Sequence, residues 1–167
     1  PLISKIMSAA IIATILFEHG VTDSFQEPEN FSLIGLWGGM IGYSIQLYCD
    51  FSGYTDMARG FAMLLGFNIP DNFNSPYVAT NVGEFWKRWH ITLTRFFTFY
   101  LYSPLSLYMS RVFSNNLIFL LIIPFLVTFI LSGLWHGSDW KYVFFGLVNG
   151  IGLIINHLWK FYKMLKL

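Results

Sequence analysis

Two long apolar runs near the end of the chain constrain its fold more than any other feature. They cover residues 117–135 and 141–159, and the short segment Gly137-Ser138-Asp139 separates them. A helix needs roughly 20 mostly apolar residues to cross the hydrocarbon core of a bilayer, so both runs are long enough. Pro124 lies inside the first run, where it can kink a helix. The pattern therefore predicts a hairpin of two spanning helices joined by a tight turn.

Composition extends this prediction to the rest of the chain. Of the 167 residues, 55% are hydrophobic and 11% are charged, whereas a typical soluble domain is about 25% charged. Residues 3–17 and 31–49 form two further apolar runs that are candidates for spanning helices. Small residues in the second of these runs allow close helix packing in a membrane. They are Gly35, Gly38, Gly39 and Gly42. We therefore expect an all-α, polytopic membrane protein.

Charge and cysteine content argue against several other classes. The net charge of +1 provides no basic field for nucleic acid. Cys49 is the single cysteine of the sequence, so it forms no internal disulfide. The sequence has no glycine-rich phosphate loop and no zinc motif, and its histidines lack an identified carboxylate partner. Neither a metal nor a bound cofactor is predicted.

The middle of the chain is less regular than its ends. Gly53 is expected to bend or restart a helix, and Asp56 can pair with Arg59 on one helix face. Turn-forming residues predict a loop over 68–83. Residues 84–102 combine basic, aromatic and apolar side chains, which is typical of an amphipathic helix. Such a helix lies at the membrane interface or re-enters the protein.

Basic residues indicate an orientation, because the cytoplasmic flanks of spanning helices are enriched in lysine and arginine. Arg111 precedes the predicted hairpin, and three lysines follow it. These are Lys160, Lys163 and Lys166. We therefore expect both of these flanks, and the surroundings of residues 67–111, on the cytoplasmic side. The turn at 137–139 is expected on the opposite side.

His136 is the first candidate for chemistry, because it ends a long apolar run. An ionisable side chain at membrane depth is a functional candidate by default, and histidine exchanges a proton near neutral pH. Gly133 and Gly137 leave room for a close approach of backbone or substrate. The alternative is a helix-end histidine that is hydrogen-bonded to a neighbour. His19 and His157 are interpreted as interfacial residues.

His90 is the second candidate, within a basic and aromatic stretch. Trp86, His90 and Thr94 follow each other at intervals of four residues and would share one face of a helix. Lys87 and Arg88 are available for an anionic group such as a phosphate, but also for lipid headgroups. The alternative is an interfacial belt of aromatic and basic residues with no catalytic role.

Five short motifs occur in an order that we recognise. They are residues 50–58 (DFSGYTDMA), 66–70 (GFNIP), 72–77 (NFNSPY), 85–93 (FWKRWHITL) and 133–137 (GLWHG). In these motifs the chain resembles the membrane-bound O-acyltransferases, in particular the branch that acetylates alginate. The D-alanyl transfer protein of teichoic acid modification is similar. The resemblance covers roughly residues 30–160.

This resemblance implies a fold and an activity. Residues 1–167 would form a single membrane domain fragment, the catalytic middle or C-terminal portion of a larger helical bundle, truncated at both ends. The activity would be transfer of an acyl group, with acetyl as the first choice, to a hydroxyl of an extracytoplasmic polysaccharide or cell-wall polymer. The donor would be a thioester cosubstrate, acetyl-CoA or an acyl carrier protein. The location would be the inner (cytoplasmic) membrane, in a multi-pass arrangement with companion extracytoplasmic transferases.

The resemblance also suggests roles for particular residues. The family's essential histidine maps onto His136, the expected general base, and its second characteristic polar position maps onto His90. Four further residues are candidates for substrate binding. They are Lys87, Arg88, Trp89 and Trp135. Direct attack by the acceptor and a double displacement through an acylated histidine both remain open.

Two other classes of function are compatible with parts of the pattern. A fragment of a transporter or channel would explain the glycine-rich helices, the proline and the polar groups at membrane depth. A structural membrane subunit that positions an acyl carrier is a further alternative. The transporter or channel interpretation does not explain two histidines set in these aromatic motifs.

Overall fold

The computed structural model describes residues 14–15, 21–113, 116 and 118–166. All regular secondary structure in this part of the chain is helical, as predicted. The candidate span at 3–17 falls outside the described residues except for Thr14 and Ile15, and His19 also lies outside them. The chain divides into two compact units, Pro1–Asn72 and Phe73–Leu167.

A single long helix dominates the first unit. Helix α1 covers Thr22–Gln26, a 3-10 turn covers Pro28–Asn30, and helix α2 covers Leu33–Leu64. The Ser32 side chain caps α2 by accepting a hydrogen bond from the backbone N–H of Gly35 at 3.2 Å. The prediction that Gly53 restarts a helix is wrong, because α2 runs through it without interruption. Gly53 is buried in this helix.

Glycine also lets α1 approach α2. A Cβ atom added to Gly39 would come within 2.9 Å of Ser24 Cβ, and Gly39 and Ser24 are both buried. The predicted close packing is therefore present at Gly39. At Gly38, by contrast, an added Cβ would meet nothing within 4 Å.

Arg59 ties the end of the first unit to α2. Its guanidinium pairs with Asp56 at 3.7 Å, as predicted, and also with Asp71. Its Nε donates to the backbone carbonyl of Ile69 at 3.4 Å. The segment that follows Gly66 is therefore held against the helix from which it emerges.

The second unit contains a helix that breaks where one continuous helix was predicted. Helix α3 covers Val82–Arg88 and helix α4 covers Ile91–Phe97, followed by a π-helical turn at Thr98–Tyr102 and helix α5 at Ser103–Val112. Between α3 and α4, Trp89 is extended and His90 adopts the left-handed conformation (φ 43°, ψ 57°).

A tertiary contact explains the break. The backbone N–H of Asn74 donates to the carbonyl oxygen of Arg88 at 3.0 Å, which is the acceptor that residue 92 would use in a continuous helix. The prediction that Trp86, His90 and Thr94 share one helix face is therefore wrong.

The predicted hairpin is present as two long apolar helices that pack against each other. A π-helical turn at Ile118–Ile122 leads into helix α6, Ile123–His136, and helix α7 covers the 26 residues Trp140–Leu165. Pro124 lies just after this π-helical turn, at the point where the chain changes to an α-helix. Residues Phe119–His136 and Trp140–Leu165 are each long and apolar enough to cross a membrane.

Two glycines bring α6 and α7 into backbone contact. A Cβ on Gly133 would collide with the carbonyl oxygen of Tyr142, and a Cβ on Gly146 would lie 2.8 Å from Ile130 Cα. The Asp139 carboxylate caps α7 by accepting a hydrogen bond from the N–H of Lys141 at 3.3 Å. The three-residue connection therefore joins two antiparallel helices that pack tightly.

Helix α3 runs along α7 in the opposite direction. At its start, Asn81 accepts a hydrogen bond from Lys160 at 3.3 Å, near the end of α7. Further along, the ring of Trp86 lies 6.4 Å from that of Phe145, near the start of α7. The broken helix thus leads from one end of the hairpin towards the other.

Candidate functional site

His136, Trp135 and His90 meet at the turn of the hairpin. His136 and Trp135 end α6, and their ring centroids are 4.9 Å apart. The ring of His90, which precedes α4, lies 6.2 Å from that of Trp135. Two histidines 46 positions apart in sequence therefore share one aromatic neighbour, because α3 carries His90 along α7 to the end of α6.

The His136 imidazole has aromatic neighbours and no hydrogen-bond partner among the residues that the structure describes. Its ring lies 5.9 Å from that of Phe145, edge to face, and 6.5 Å from that of Tyr142. The alternative of a helix-end histidine held by a neighbour therefore has no support in this part of the chain. His136 is exposed in the structure, so a substrate can approach it.

Gly137 shapes the space beside His136. A Cβ at this position would lie 2.8 Å from Tyr142 Cδ2, so only glycine lets the Tyr142 ring approach. Tyr142 and Phe145 were not predicted as site residues. Their spacing on α7 could have suggested it, because residues 142, 145 and 146 share the face that packs against α6.

His90 is half-buried and stands at the break between two helices. Burial lowers the pKa of His90, and the nearby His136 lowers it further. Both effects favour the neutral imidazole, the form that can accept a proton. Non-glycine residues with a left-handed backbone are uncommon and are often found at functional sites.

The four predicted substrate-binding residues have different surroundings. Trp135 stands between the two histidines. Trp89 belongs to an aromatic cluster, with its ring stacked on Phe85 at 5.6 Å and edge-on to Phe73 at 5.0 Å. Lys87 is exposed on α3.

Arg88 is occupied by structural contacts. Its Nη2 and Nε atoms donate to Glu84 Oε1 at 2.7 and 3.0 Å, and its Nη1 donates to the carbonyl of Asn74 at 3.2 Å. Hydrogen bonds from the Thr80 backbone and from Arg88 lower the pKa of Glu84 to about 2. Glu84 is therefore ionised at neutral pH and neutralises the charge of Arg88.

His157 lies away from this group of residues. Its exposed ring is 5.4 Å from that of Phe125, on the part of the hairpin remote from the turn. No group of three or more His, Cys, Asp or Glu side chains among the described residues could hold a metal ion. The described geometry therefore concentrates the candidate chemistry at His136 and His90.

Comparison with known proteins gives consistent matches. The sequence profile described as MBOAT, membrane-bound O-acyltransferase family, matches residues 1–163. A peptidoglycan O-acetyltransferase of Helicobacter pylori is 41% identical over 139 residues, which are 83% of this chain and 25% of that protein. A probable alginate O-acetylase of Azotobacter vinelandii is 41% identical over 121 residues, 71% of this chain and 23% of that protein.

A third relative has a different printed activity. A teichoic acid D-alanyltransferase of Streptococcus thermophilus is 31% identical over 162 residues, which are 93% of this chain and 37% of that protein. The chain spans only about a quarter of the first two relatives and little more than a third of the third.

Proposed function

Because this chain belongs to the membrane-bound O-acyltransferase family, we propose that it carries the catalytic histidines of an enzyme that acylates a carbohydrate polymer. The observation that carries this proposal is the meeting of His136 and His90 around Trp135. The donor is a thioester, acetyl-CoA or an acyl carrier protein, and no bound cofactor takes part. The acceptor is a hydroxyl of an extracytoplasmic polysaccharide or cell-wall polymer.

In the proposed reaction His136 acts as a general base. Its neutral imidazole takes the proton of the acceptor hydroxyl while the hydroxyl oxygen attacks the thioester carbonyl. The tetrahedral intermediate carries an oxyanion, which needs hydrogen-bond donors or positive charge nearby. Collapse of the intermediate forms the ester, breaks the carbon–sulfur bond and returns the proton to the leaving thiolate. His90 orients a substrate or stabilises charge in this scheme, and Trp135 lines the path to the site.

The placement of α3 supports a re-entrant rather than an interfacial segment. Helix α3 contacts α7 at two separated points: Asn81 bonds to Lys160, and Trp86 packs against Phe145. Helix α7 is one of the two candidate spans. Irregular backbone at membrane depth is tolerated where protein surrounds it or where it lines a cavity, and the break at His90 fits this condition. We propose that the protein is a multi-pass protein of the inner membrane and acts with companion extracytoplasmic transferases.

Transfer of D-alanine to teichoic acid is the second candidate function. The observation in its favour is the relative of that activity in Streptococcus thermophilus, which aligns with 93% of this chain. The chemistry at His136 would be the same, since both reactions move an acyl group from a thioester to a hydroxyl. The two functions differ in the donor that supports the reaction.

Acyl transfer in membranes that contain the full-length protein tests the proposal. His136→Ala is expected to lower transfer by about 10²- to 10⁴-fold, the usual contribution of a general base. His157→Ala, which changes an exposed histidine outside the site, is the matched control and is expected to retain transfer. Labelled acetyl-CoA and a D-alanyl carrier protein are compared as donors.

Equal expression and membrane insertion of the variants must accompany the assay. If His136→Ala transfers as well as the wild-type protein, His136 is not the base. If neither donor gives an acylated product while a solute or ion crosses the membrane, the chain belongs to a transporter.

A further inference from the structure

A cleft between the two arms of the broken helix has no role in the reaction described above. It has a volume of about 530 Å³. Lys87 on α3 and Arg95 on α4 both line it, and Trp86 and Phe99 contribute apolar walls. The two cations therefore line one cleft from opposite sides of the break at His90.

Both cations in the cleft lack an anionic partner. In the part of the chain that the structure describes, neither Lys87 nor Arg95 has a carboxylate within 4.0 Å, and the cleft is lined by no acidic residue. Arg88 differs, because Glu84 neutralises it. The pair that is available for an anion is therefore Lys87 and Arg95, not Lys87 and Arg88.

Hydroxyl groups in the cleft contribute less to anion recognition. Thr94 donates its hydroxyl hydrogen to the carbonyl of Trp89 at 3.3 Å, and Thr98 donates to the carbonyl of Thr94 at 2.7 Å. Ser103 also lines the cleft, and Lys87 and Arg95 are its two charged side chains. Arginine offers a planar fork of donors and lysine a compact charge, and both are common ligands of phosphate.

Apolar side chains of the hairpin lie behind the cleft. Trp86 forms part of the cleft and also contacts Phe129 and Phe145 of the apolar hairpin, at 5.3 and 6.4 Å between ring centroids. Lys87 and Arg95 are both exposed, so an anionic ligand can reach them.

We propose that Lys87 and Arg95 bind a phosphate group in this cleft. This assignment rests on the proposed function: the phosphate belongs to the thioester donor. The acyl end of the donor would then extend past Trp86 towards His136. The ring of Phe145 contacts both Trp86 and His136, at 6.4 and 5.9 Å, and so connects the cleft with the histidine site. A phospholipid headgroup is the other source of the same chemistry.

Binding of two thiols that differ in phosphate tests the proposal. The full-length protein is placed in phosphatidylcholine nanodiscs, and its affinities for coenzyme A and for pantetheine, which has no phosphate, are measured. Lys87→Gln and Arg95→Gln are each expected to weaken coenzyme A binding by about tenfold or more, the value of a charge-assisted hydrogen bond, without changing pantetheine binding. Arg111→Gln, an exposed arginine on α5 outside the cleft, is the matched control.

A variant that keeps the charge and a test with an anionic lipid distinguish donor binding from misfolding and from lipid binding. Lys87→Arg should restore coenzyme A binding, which a misfolded protein would not do. If coenzyme A binding is unaffected but phosphatidylglycerol no longer raises the melting temperature of the Gln variants, the cleft binds a lipid phosphate and the donor assignment is overturned. If neither binding nor lipid stabilisation changes, the cleft does not bind phosphate.

This proposal and the proposed function fail independently. His136→Ala should still bind coenzyme A, because its imidazole does not line the cleft. Loss of transfer in His136→Ala with intact coenzyme A binding supports the base. Intact transfer in that variant, combined with lost binding in Lys87→Gln and Arg95→Gln, overturns the base and supports the cleft.

Discussion

At the scale of single residues, the backbone conformation of His90 favours glycine, whereas the proposed chemistry requires its imidazole. Its left-handed conformation is sterically unfavourable for every residue except glycine, at a cost of roughly 1–2 kcal/mol. Its side chain is placed beside Trp135 by the same turn. The protein therefore retains an imidazole at a position where glycine would be easier to accommodate.

His90→Gly is predicted to stabilise the protein while lowering acyl transfer. Glycine removes the steric cost, so the melting temperature should stay the same or rise, whereas loss of the imidazole should lower transfer by about tenfold or more. His90→Ala is the control, since it removes the imidazole and keeps the steric cost. Thermal unfolding and acyl transfer are measured for both variants. Normal transfer in His90→Gly would show that only the backbone matters here.

The residues of the site were partly predictable from sequence. His136 and His90 stand in recognisable motifs, and the end of an apolar run singles out His136. Arg95 was not predicted as a partner of Lys87. On a continuous helix the two side chains would lie about two turns apart, so no local pattern pairs them. In the structure they line one cleft across the break between α3 and α4.

At the scale of the elements, the sequence predicts the helices whose formation depends on neighbouring residues. The hairpin of α6 and α7 follows from hydropathy and from the turn at 137–139. The break at His90 depends on Asn74, fourteen positions before Arg88, whose carbonyl it captures. No pattern within residues 84–102 contains that information. The continuity of α2 through Gly53 likewise departs from local propensity, since glycine is unfavourable in a helix interior.

Packing of α6 against α7 is predicted to depend on Gly146. In Gly146→Ala the new Cβ would meet the backbone of Phe129 and Ile130, so the helices must move apart, at a cost of about 1–3 kcal/mol in the free energy of unfolding. Gly152→Ala on the same helix is the matched control, because its Cβ would meet only Val82 at 3.7 Å, an ordinary contact.

Denaturant unfolding in detergent measures the difference between the two alanine variants. Gly152→Ala should be neutral or stabilising, since alanine favours a helix over glycine by about 1 kcal/mol. If both variants lose the same stability, close approach at Gly146 is not what holds the hairpin together.

At the scale of the whole molecule, the hairpin relates the site to the two sides of a membrane. His136 lies next to the turn, whereas Lys163 and Lys166 lie at the far end of α7. If the lysine-rich end is cytoplasmic, as the charge pattern predicts, His136 is nearer to the extracytoplasmic side. This position suits an acceptor polymer that stays outside the cell.

Cysteine labelling tests this orientation. In a full-length protein without other cysteines, Ser138→Cys should react with a membrane-impermeant maleimide in intact cells, and Lys166→Cys only after the cells are made permeable. Ser138 lies between the two candidate spans, and Lys166 directly follows the second. Folding should therefore tolerate both changes. Labelling of both positions from the same side would exclude a spanning hairpin.

The length of α7 links the site to the thickness of the bilayer. Its 26 residues extend ~39 Å, more than the ~30 Å of a typical hydrocarbon core. Lys163 and Lys166 lie over the rings of Trp159 and Tyr162, at 5.6 and 4.7 Å, and such pairs anchor a helix end among lipid headgroups. A spanning α7 therefore either tilts or extends its charged end into the headgroup layer. Where it tilts, a thinner membrane increases the tilt and changes the depth at which His136 lies.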